Sequence, residues 1–164
     1  MSVTAATVTN TAAIRVGRLM EVRVDAGYRT VADVDELFDA IDDELGRLPP
    51  TRKIVTIADW RHIPVMSPLA AERLQQRMAL LNPRTLRSAA LIDRGAPTAV
   101  LQFMRVVRTA NFSDRKIFED LEALVSFLQE VLTNEESRRL REFLLRTDVQ
   151  AAPKPRTAGA PGAQ

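Results

Sequence analysis

The chain has 164 residues, of which 46% are hydrophobic and 27% are charged, so it predicts one globular domain with a buried core. It contains no cysteine, which excludes disulfide bonds, zinc-thiolate sites and thiol nucleophiles. Lys154 and Arg156 are two of the 23 basic residues, and they lie in a segment, 149–164, that has no acidic residue. The rest of the chain therefore carries 21 basic and 21 acidic residues. A nucleic-acid-binding protein needs a concentrated basic face, and a chain with equal numbers of basic and acidic residues does not indicate one.

The sequence shows neither a targeting segment nor a membrane span. Its N-terminus lacks the basic start and apolar block of a secretory signal, and no apolar run approaches the roughly 20 residues of a membrane-spanning helix. We therefore expect a cytoplasmic protein. Residues 1–12 are small and polar and predict a flexible N-terminus, while residues 148–164 predict a disordered Pro/Ala/Gly tail. Between them, residues 13–147 predict a single α/β domain.

The first elements of the domain are a strand and a helix. Apolar residues alternate from 14 to 24, which predicts a strand or a hairpin with one buried face and a turn at Gly17. Thr30 and Asp33 have the spacing of a capping box at the start of a helix. Its apolar residues follow helical spacing until Pro49 ends the pattern.

The next strand and helix follow directly. Residues 53–60 are almost continuously apolar, as in a strand that is buried on both faces of a parallel sheet. Ser67 is placed as an N-cap, and Pro68 is suited to the first position of the helix that follows.

The second half repeats this alternation. Residues 88–93 predict a third strand, residues 97–111 a helix, and residues 116–118 a short fourth strand. Asp120 caps the next helix, and Thr133 with Glu136 forms a capping box for the last one. This order predicts an α/β fold in which a mostly parallel sheet of four or five strands is joined by crossover helices. The two final helices are expected to form a C-terminal hairpin packed on the same core.

Two segments carry a resemblance to a known superfamily, namely KIVTIADWRHIPVMSPLAAERL and LNPRTLRSAALID. With the order of elements over residues 14–132, they resemble the STAS-like or SpoIIAA-like superfamily. In its anti-sigma-factor antagonists, an acid at the end of a strand precedes an Asp-Ser-Ser-Gly box that a partner kinase phosphorylates. Asp59 matches that acid, whereas Ser67 aligns with the Asp of the box and Pro68 with the phosphoacceptor. The chain is therefore most similar to the divergent members, described as STAS/SEC14-like.

The resemblance implies a STAS-like regulatory or ligand-binding module that is not an enzyme. It implies another protein as partner and requires neither a cofactor nor a metal. A homodimer is left open, because an apolar helix face can be covered by a second copy as well as by its own chain.

The strongest candidate residues lie where two predicted strands end. Ligands of open parallel sheets bind outside the carboxyl ends of the strands, which selects residues 59–62 and 93–94. Trp60 and His62 flank Arg61 there, a grouping suited to an anionic or planar ligand. The structural alternative is that Trp60 packs beneath a helix, Asp59 pairs with Arg61, and His62 bonds a backbone group. Ser67 has two readings as well, a helix cap or a phosphorylation site received by the helix N-terminus and Arg61.

The helix at 97–111 is apolar over more than one face. The residues in excess include Phe103, Met104 and Val107, which predict a cover by the C-terminal helices, by another subunit or by an apolar ligand.

Three functions follow from these features. The first is a non-enzymatic protein-interaction module that works through residues Asp59, Trp60, Arg61, His62 and Ser67. The alternative is binding of a small apolar or lipid-like ligand between the sheet and the helix at 97–111, which requires a cavity of about 300 Å³ or more. The third is a hydrolase-like enzyme that uses His62 and Asp59, although no motif positions a nucleophile.

Overall fold

The computed structural model describes residues 9–151 and the side chains of residues 9–145. Five strands and five α-helices alternate within this range. They are β1 (Thr11–Ile14), β2 (Leu19–Arg23), α1 (Val31–Leu45), β3 (Ile54–Trp60), α2 (Pro68–Leu81), β4 (Thr85–Ile92), α3 (Pro97–Thr109), β5 (Arg115–Phe118), α4 (Leu121–Gln129) and α5 (Asn134–Ala151).

The strands form one sheet in the order β1-β2-β3-β4-β5. β1 is antiparallel to β2, and every other neighbouring pair is parallel. The alternating segment at 14–24 is therefore a hairpin, and its turn contains Gly17 at a positive φ of 56°. This conformation is accessible to glycine at little cost. The predicted α/β fold with a mostly parallel sheet is confirmed, with five strands.

Side-chain caps begin four of the helices at the predicted positions, including the capping box of Thr133 and Glu136 at the start of α5. Thr30 and Asp33 form a complete capping box on α1. The Ser67 hydroxyl accepts a hydrogen bond from the backbone N–H of Ala70 at 3.1 Å, and Asp120 caps α4. These caps use residues three positions apart, so the sequence alone suffices to predict them.

Two boundaries differ from the predicted ones. β1 begins at Thr11, inside the segment expected to be flexible, because Thr11 and Ala12 pair with Arg23 and Val22 of β2. α5 continues to Ala151, beyond the predicted start of the tail at 148. The remaining parts of the predicted N-terminus and tail, 1–8 and 152–164, lie outside the described residues.

The sheet separates two hydrophobic cores. Helices α1, α2 and α3 cover one face, where side chains such as Met20, Trp60 and Ala90 are buried. Helices α4 and α5 cover the other face, where Leu19, Ile57 and the side chains of α5 are buried. The two C-terminal helices share this second core, as predicted for a C-terminal hairpin, and the core is separate from the one beneath α1, α2 and α3. Successive residues of β3 point to opposite faces and both sets are apolar, so each face needs its own helical layer.

α5 is fixed to the sheet by a buried ion pair. Both carboxylate oxygens of Glu21 on β2 accept hydrogen bonds from Arg139 on α5, each at 2.7 Å. Glu21 is 4% exposed and Arg139 is 8% exposed. The pair is bidentate, the arrangement that compensates best for removing two charges from water.

Candidate functional site

The carboxyl ends of four parallel strands meet at one edge of the sheet. In register, Arg23 of β2 lies beside Asp59 of β3, and Asp59 lies beside Leu91 of β4. Leu91 in turn lies beside Phe118 of β5. We call this rim the carboxyl edge. A shallow depression of about 460 Å³ lies along it, lined by Arg61, Ile92, Asp93, Arg94, Glu119 and Asp120. The structure thus brings together the two strand ends that the sequence selected, and adds Glu119 and Asp120.

Asp59 and Arg61 form a tight pair at this edge. The Arg61 Nε donates to Asp59 Oδ1 at 3.0 Å, its Nη2 donates to Oδ2 at 3.3 Å, and its backbone N–H donates to Oδ1 at 3.1 Å. Nη2 also reaches the carbonyl oxygen of Leu144 on α5 at 3.2 Å. Asp59 is only 2% exposed, so Arg61 neutralises a buried carboxylate. The alternative in which Asp59 pairs with Arg61 to hold the loop is therefore the one that forms. Arg61 still lines the depression.

Trp60 is buried, whereas His62 is exposed to solvent. Trp60 is 4% exposed and stacks on Phe103 of α3, with 3.6 Å between ring centroids. His62 is exposed, and its ring forms no hydrogen bond within residues 9–145. Both oxygens of Asp59 are bonded to Arg61 rather than to His62. The pairing of His62 with Asp59 on which the hydrolase hypothesis depends is therefore not formed.

Two charged residues at this edge were missed by the sequence analysis. Arg23 ends β2, and Asp25 follows it. Burial raises the pKa of Asp25, as does the neighbouring charge of Asp59, while Arg23, His62 and Arg61 act in the opposite direction. Burial also lowers the pKa of Arg23. The sequence could have pointed to both residues, because the end of β2 must lie beside the end of β3 when the two strands are parallel neighbours.

The segment after the carboxyl edge is pinned to α3. The backbone N–H of Met66 donates to Gln102 Oε1 at 2.8 Å, and Gln102 Nε2 donates to the Met66 carbonyl at 2.7 Å. Ser67, half-buried, then caps α2. Large apolar side chains are exposed around this clamp. They form what we call the apolar patch: Val65 (56% exposed), Leu69 (68%), Leu101 (67%) and Met104 (43%).

The candidate residues on α3 do not share one surface. Phe103 is 3% exposed and Val107 packs against the core, whereas Met104 is in the apolar patch. The cover expected from the C-terminal helices is absent in the described residues, because α4 and α5 occupy the other face of the sheet. Phe103 is covered by Trp60 instead.

A small cavity lies beneath α1, α2 and α3, on the face of the sheet that carries Trp60. Its volume is about 60 Å³, well below the roughly 300 Å³ expected for a lipid-sized ligand. Its lining is mainly apolar and includes Phe38, Leu74, Phe103 and Arg115.

Arg115 is the unexpected member of this lining. It is 8% exposed, and its Nε and Nη1 atoms have no hydrogen-bond partner in the part of the chain that the structure describes. Its guanidinium lies 5.1 Å from the ring centroid of Phe112, and burial lowers its pKa to about 10. Sequence reasoning missed Arg115 because it directly precedes the short apolar strand KIF, where nothing indicates that a charge is buried.

These features define a three-layered α/β/α protein with its candidate site at the carboxyl edge of a mostly parallel sheet. The structure is similar to that of an uncharacterized protein of the DUF3478 family with a SpoIIAA-like fold, from Shewanella loihica PV-4. The match has a TM-score of 0.53 and 16% sequence identity, and it covers 77% of this chain and 99% of that one. The chain therefore has a SpoIIAA-like fold, as its resemblance to that superfamily predicted.

Comparisons at the sequence level add nothing to the fold. No family model and no curated protein matches the chain. Within residues 9–151, no helix combines the length and apolar character needed to cross a membrane.

Proposed function

We propose that this protein is a non-enzymatic regulatory module that docks a partner protein through the apolar patch. The observation that supports the proposal is the grouping of exposed apolar side chains. Seven large apolar residues are exposed among residues 9–145, and four of them lie around the clamp between Met66 and Gln102. Apolar side chains scattered singly over a surface need no explanation, whereas a contiguous group marks an interaction site.

The patch is built on a fixed backbone. Val65 precedes Met66 and Leu101 precedes Gln102, so the clamp fixes the backbone that carries each of these side chains. Leu69 lies in the first turn of α2, and Met104 lies one helical turn after Leu101. A rigid apolar surface loses little conformational entropy when a partner binds, which favours affinity.

The charge beside the patch indicates the chemistry of the partner. Arg105 and Arg108 are exposed on α3, and with Leu101 and Met104 they follow the spacing of one helix face. A complementary partner presents apolar side chains flanked by carboxylates. Ser67 lies between Val65 and Leu69, so a phosphate on Ser67 would place negative charge within the patch and weaken such a partner.

The test compares two aspartate substitutions. Leu101→Asp places a charge in the patch, while Leu80→Asp changes an equally exposed leucine (77%) at the far end of α2. Each tagged variant and the wild type are recovered from the protein's own cells after mild crosslinking, and the bound proteins are quantified by mass spectrometry. Circular dichroism confirms that both variants are folded.

The proposal predicts a partner that the wild type and Leu80→Asp recover equally and that Leu101→Asp reduces by about tenfold or more, the loss expected for a central apolar contact. If both variants recover the same proteins in the same amounts, the apolar patch is not the docking site. If Leu101→Asp instead converts a dimer to a monomer in analytical ultracentrifugation and no other protein is lost, the patch binds a second copy and the proposal of a heterologous partner is wrong.

A further inference from the structure

Arg115 is buried without hydrogen bonds to two of its guanidinium nitrogens, and the Phe112 ring offsets only part of that cost. A guanidinium removed from water normally has carboxylate, carbonyl or water partners. Here Nε and Nη1 have none, although Arg115 is only 8% exposed. Buried charges without partners are rare in folded proteins, and they mark either a structural water or a ligand.

The space beside Arg115 is suited to a small amphipathic molecule. The cavity of about 60 Å³ has room for about four to six water-sized atoms, since one such sphere needs roughly 10–15 Å³. Most of its walls are apolar, from residues such as Ile41, Leu74 and Met78. An apolar body fits these walls better than water does, because a buried water needs two to four polar partners.

Three polar residues of the lining, Thr56, Ser88 and Arg115, lie side by side on neighbouring strands. In the register of the sheet, Ser88 of β4 pairs with Arg115 of β5. The hydroxyls of Thr56 and Ser88 also line the cavity and bond each other at 2.6 Å. A ligand that fits therefore has a negative group at the guanidinium and an apolar body directed toward α1 and α2.

We infer that this cavity binds a short-chain aliphatic carboxylate, with its carboxylate on Arg115. β5 is the last strand of the sheet, and Ile117 of β5 and Val107 of α3 line the cavity. The lowered pKa of Arg115, about 10, still leaves the guanidinium charged at neutral pH. This site is separate from the apolar patch and is independent of the function proposed above.

The probes are butyrate and n-butanol, which share an apolar chain and differ in charge. Binding is followed by the methyl resonances of Val107 and Ile117 in NMR titrations of the full chain. We expect saturable shifts with butyrate, and shifts with n-butanol only at concentrations at least about tenfold higher, as a charged hydrogen-bonded pair would give. Equal responses to the two probes, or no saturable response to butyrate, would overturn the inference and leave water as the partner of Arg115.

Two substitutions separate the charge from the space. Arg115→Met keeps the bulk of the side chain but removes the charge; it should raise the melting temperature of the free protein and weaken butyrate binding by about tenfold or more. Arg138→Met, an exposed position on α5 on the other face of the sheet, is the matched control and should bind butyrate as the wild type does. If Arg115→Met binds butyrate normally, the guanidinium is not the anion site.

A second variant keeps the test independent of Arg115. Ala90 is 5% exposed and lines the cavity, so Ala90→Val fills part of the space and leaves the charge in place. We expect this variant to bind acetate as the wild type does and to lose butyrate. Unchanged selectivity between acetate and butyrate would show that the anion binds outside the cavity.

Discussion

At the level of single residues, the two carboxylates of the carboxyl edge, Asp59 and Asp25, are compensated to different extents. The buried carboxylate of Asp59 is neutralised by three hydrogen bonds from Arg61. Asp25, at the end of the neighbouring strand, is half-buried beside the same carboxylate. Burial and the charge of Asp59 raise the pKa of Asp25 more than Arg23, His62 and Arg61 lower it. Ionised Asp25 is therefore less favourable in the folded protein than in the unfolded chain.

This imbalance predicts how stability depends on pH. The folded-state pKa of Asp25 is above its unfolded value of about 3.9, so the folded state holds the proton more tightly. Its contribution to stability is complete below the unfolded pKa and is lost as pH rises through the folded pKa. Asp25→Asn should therefore stabilise the protein at pH 7, by a fraction of about 1 kcal/mol because solvent screens the group.

Urea denaturation at pH 4 and pH 7 measures the effect. The gain from Asp25→Asn should shrink toward pH 4, where the wild-type carboxyl gains its proton. Asp114→Asn, in an exposed loop, is the control and should change the free energy of unfolding little at either pH. A loss of stability in Asp25→Asn at pH 7 would mean that attraction to Arg23 and Arg61 outweighs burial and the charge of Asp59.

At the level of elements, α5 makes one buried polar contact with the sheet that the sequence could not reveal. Glu21 and Arg139 are 118 positions apart, and only the folded topology makes them neighbours. A glutamate between apolar residues of a strand reads as an exposed position until a partner on a helix is known. The caps of α1, α2 and α4 were predictable, because a cap is formed by residues three positions apart.

Removing one member of this buried pair should be costly. Arg139→Met leaves the Glu21 carboxylate buried without its bidentate partner, so we expect about 3–5 kcal/mol of lost stability. Combining it with Glu21→Met should recover most of that loss, since two apolar side chains then replace two charges. Chemical denaturation of the single and double variants forms a double-mutant cycle.

The same helix provides the control for this cycle. Arg141 pairs with Glu122 on the surface, where the two side chains are 49% and 68% exposed. Arg141→Met should change stability by about 0.5 kcal/mol or less, as is usual for exposed pairs. If Arg139→Met costs no more than Arg141→Met, the buried pair does not fix α5 to the sheet.

On the scale of the whole molecule, one sheet supports two cores. β3 is at its centre, with Trp60 facing α3 and Ile57 facing α4 and α5. The sequence predicted that β3 is buried on both sides, but an apolar run does not state which helix covers which face. It predicted contacts within one loop, such as the pairing of Asp59 with Arg61. It missed Asp25 and Arg115, whose surroundings depend on strands that are distant in the chain.

The shared sheet predicts that the two cores unfold together. Leu140 of α5 is fully buried in one core, while Trp60, the sole tryptophan, is in the other. Leu140→Ala should cost about 2–5 kcal/mol through lost contacts and the cavity it leaves. Trp60 fluorescence and far-ultraviolet circular dichroism should then report the same lowered urea midpoint, because the same strands contribute side chains to both cores. Leu145→Ala, 58% exposed on the same helix, should leave both midpoints unchanged.

The contradicting outcome in Leu140→Ala is a Trp60 midpoint that stays at the wild-type value while the dichroism midpoint falls. The layer of α4 and α5 would then unfold separately from the rest.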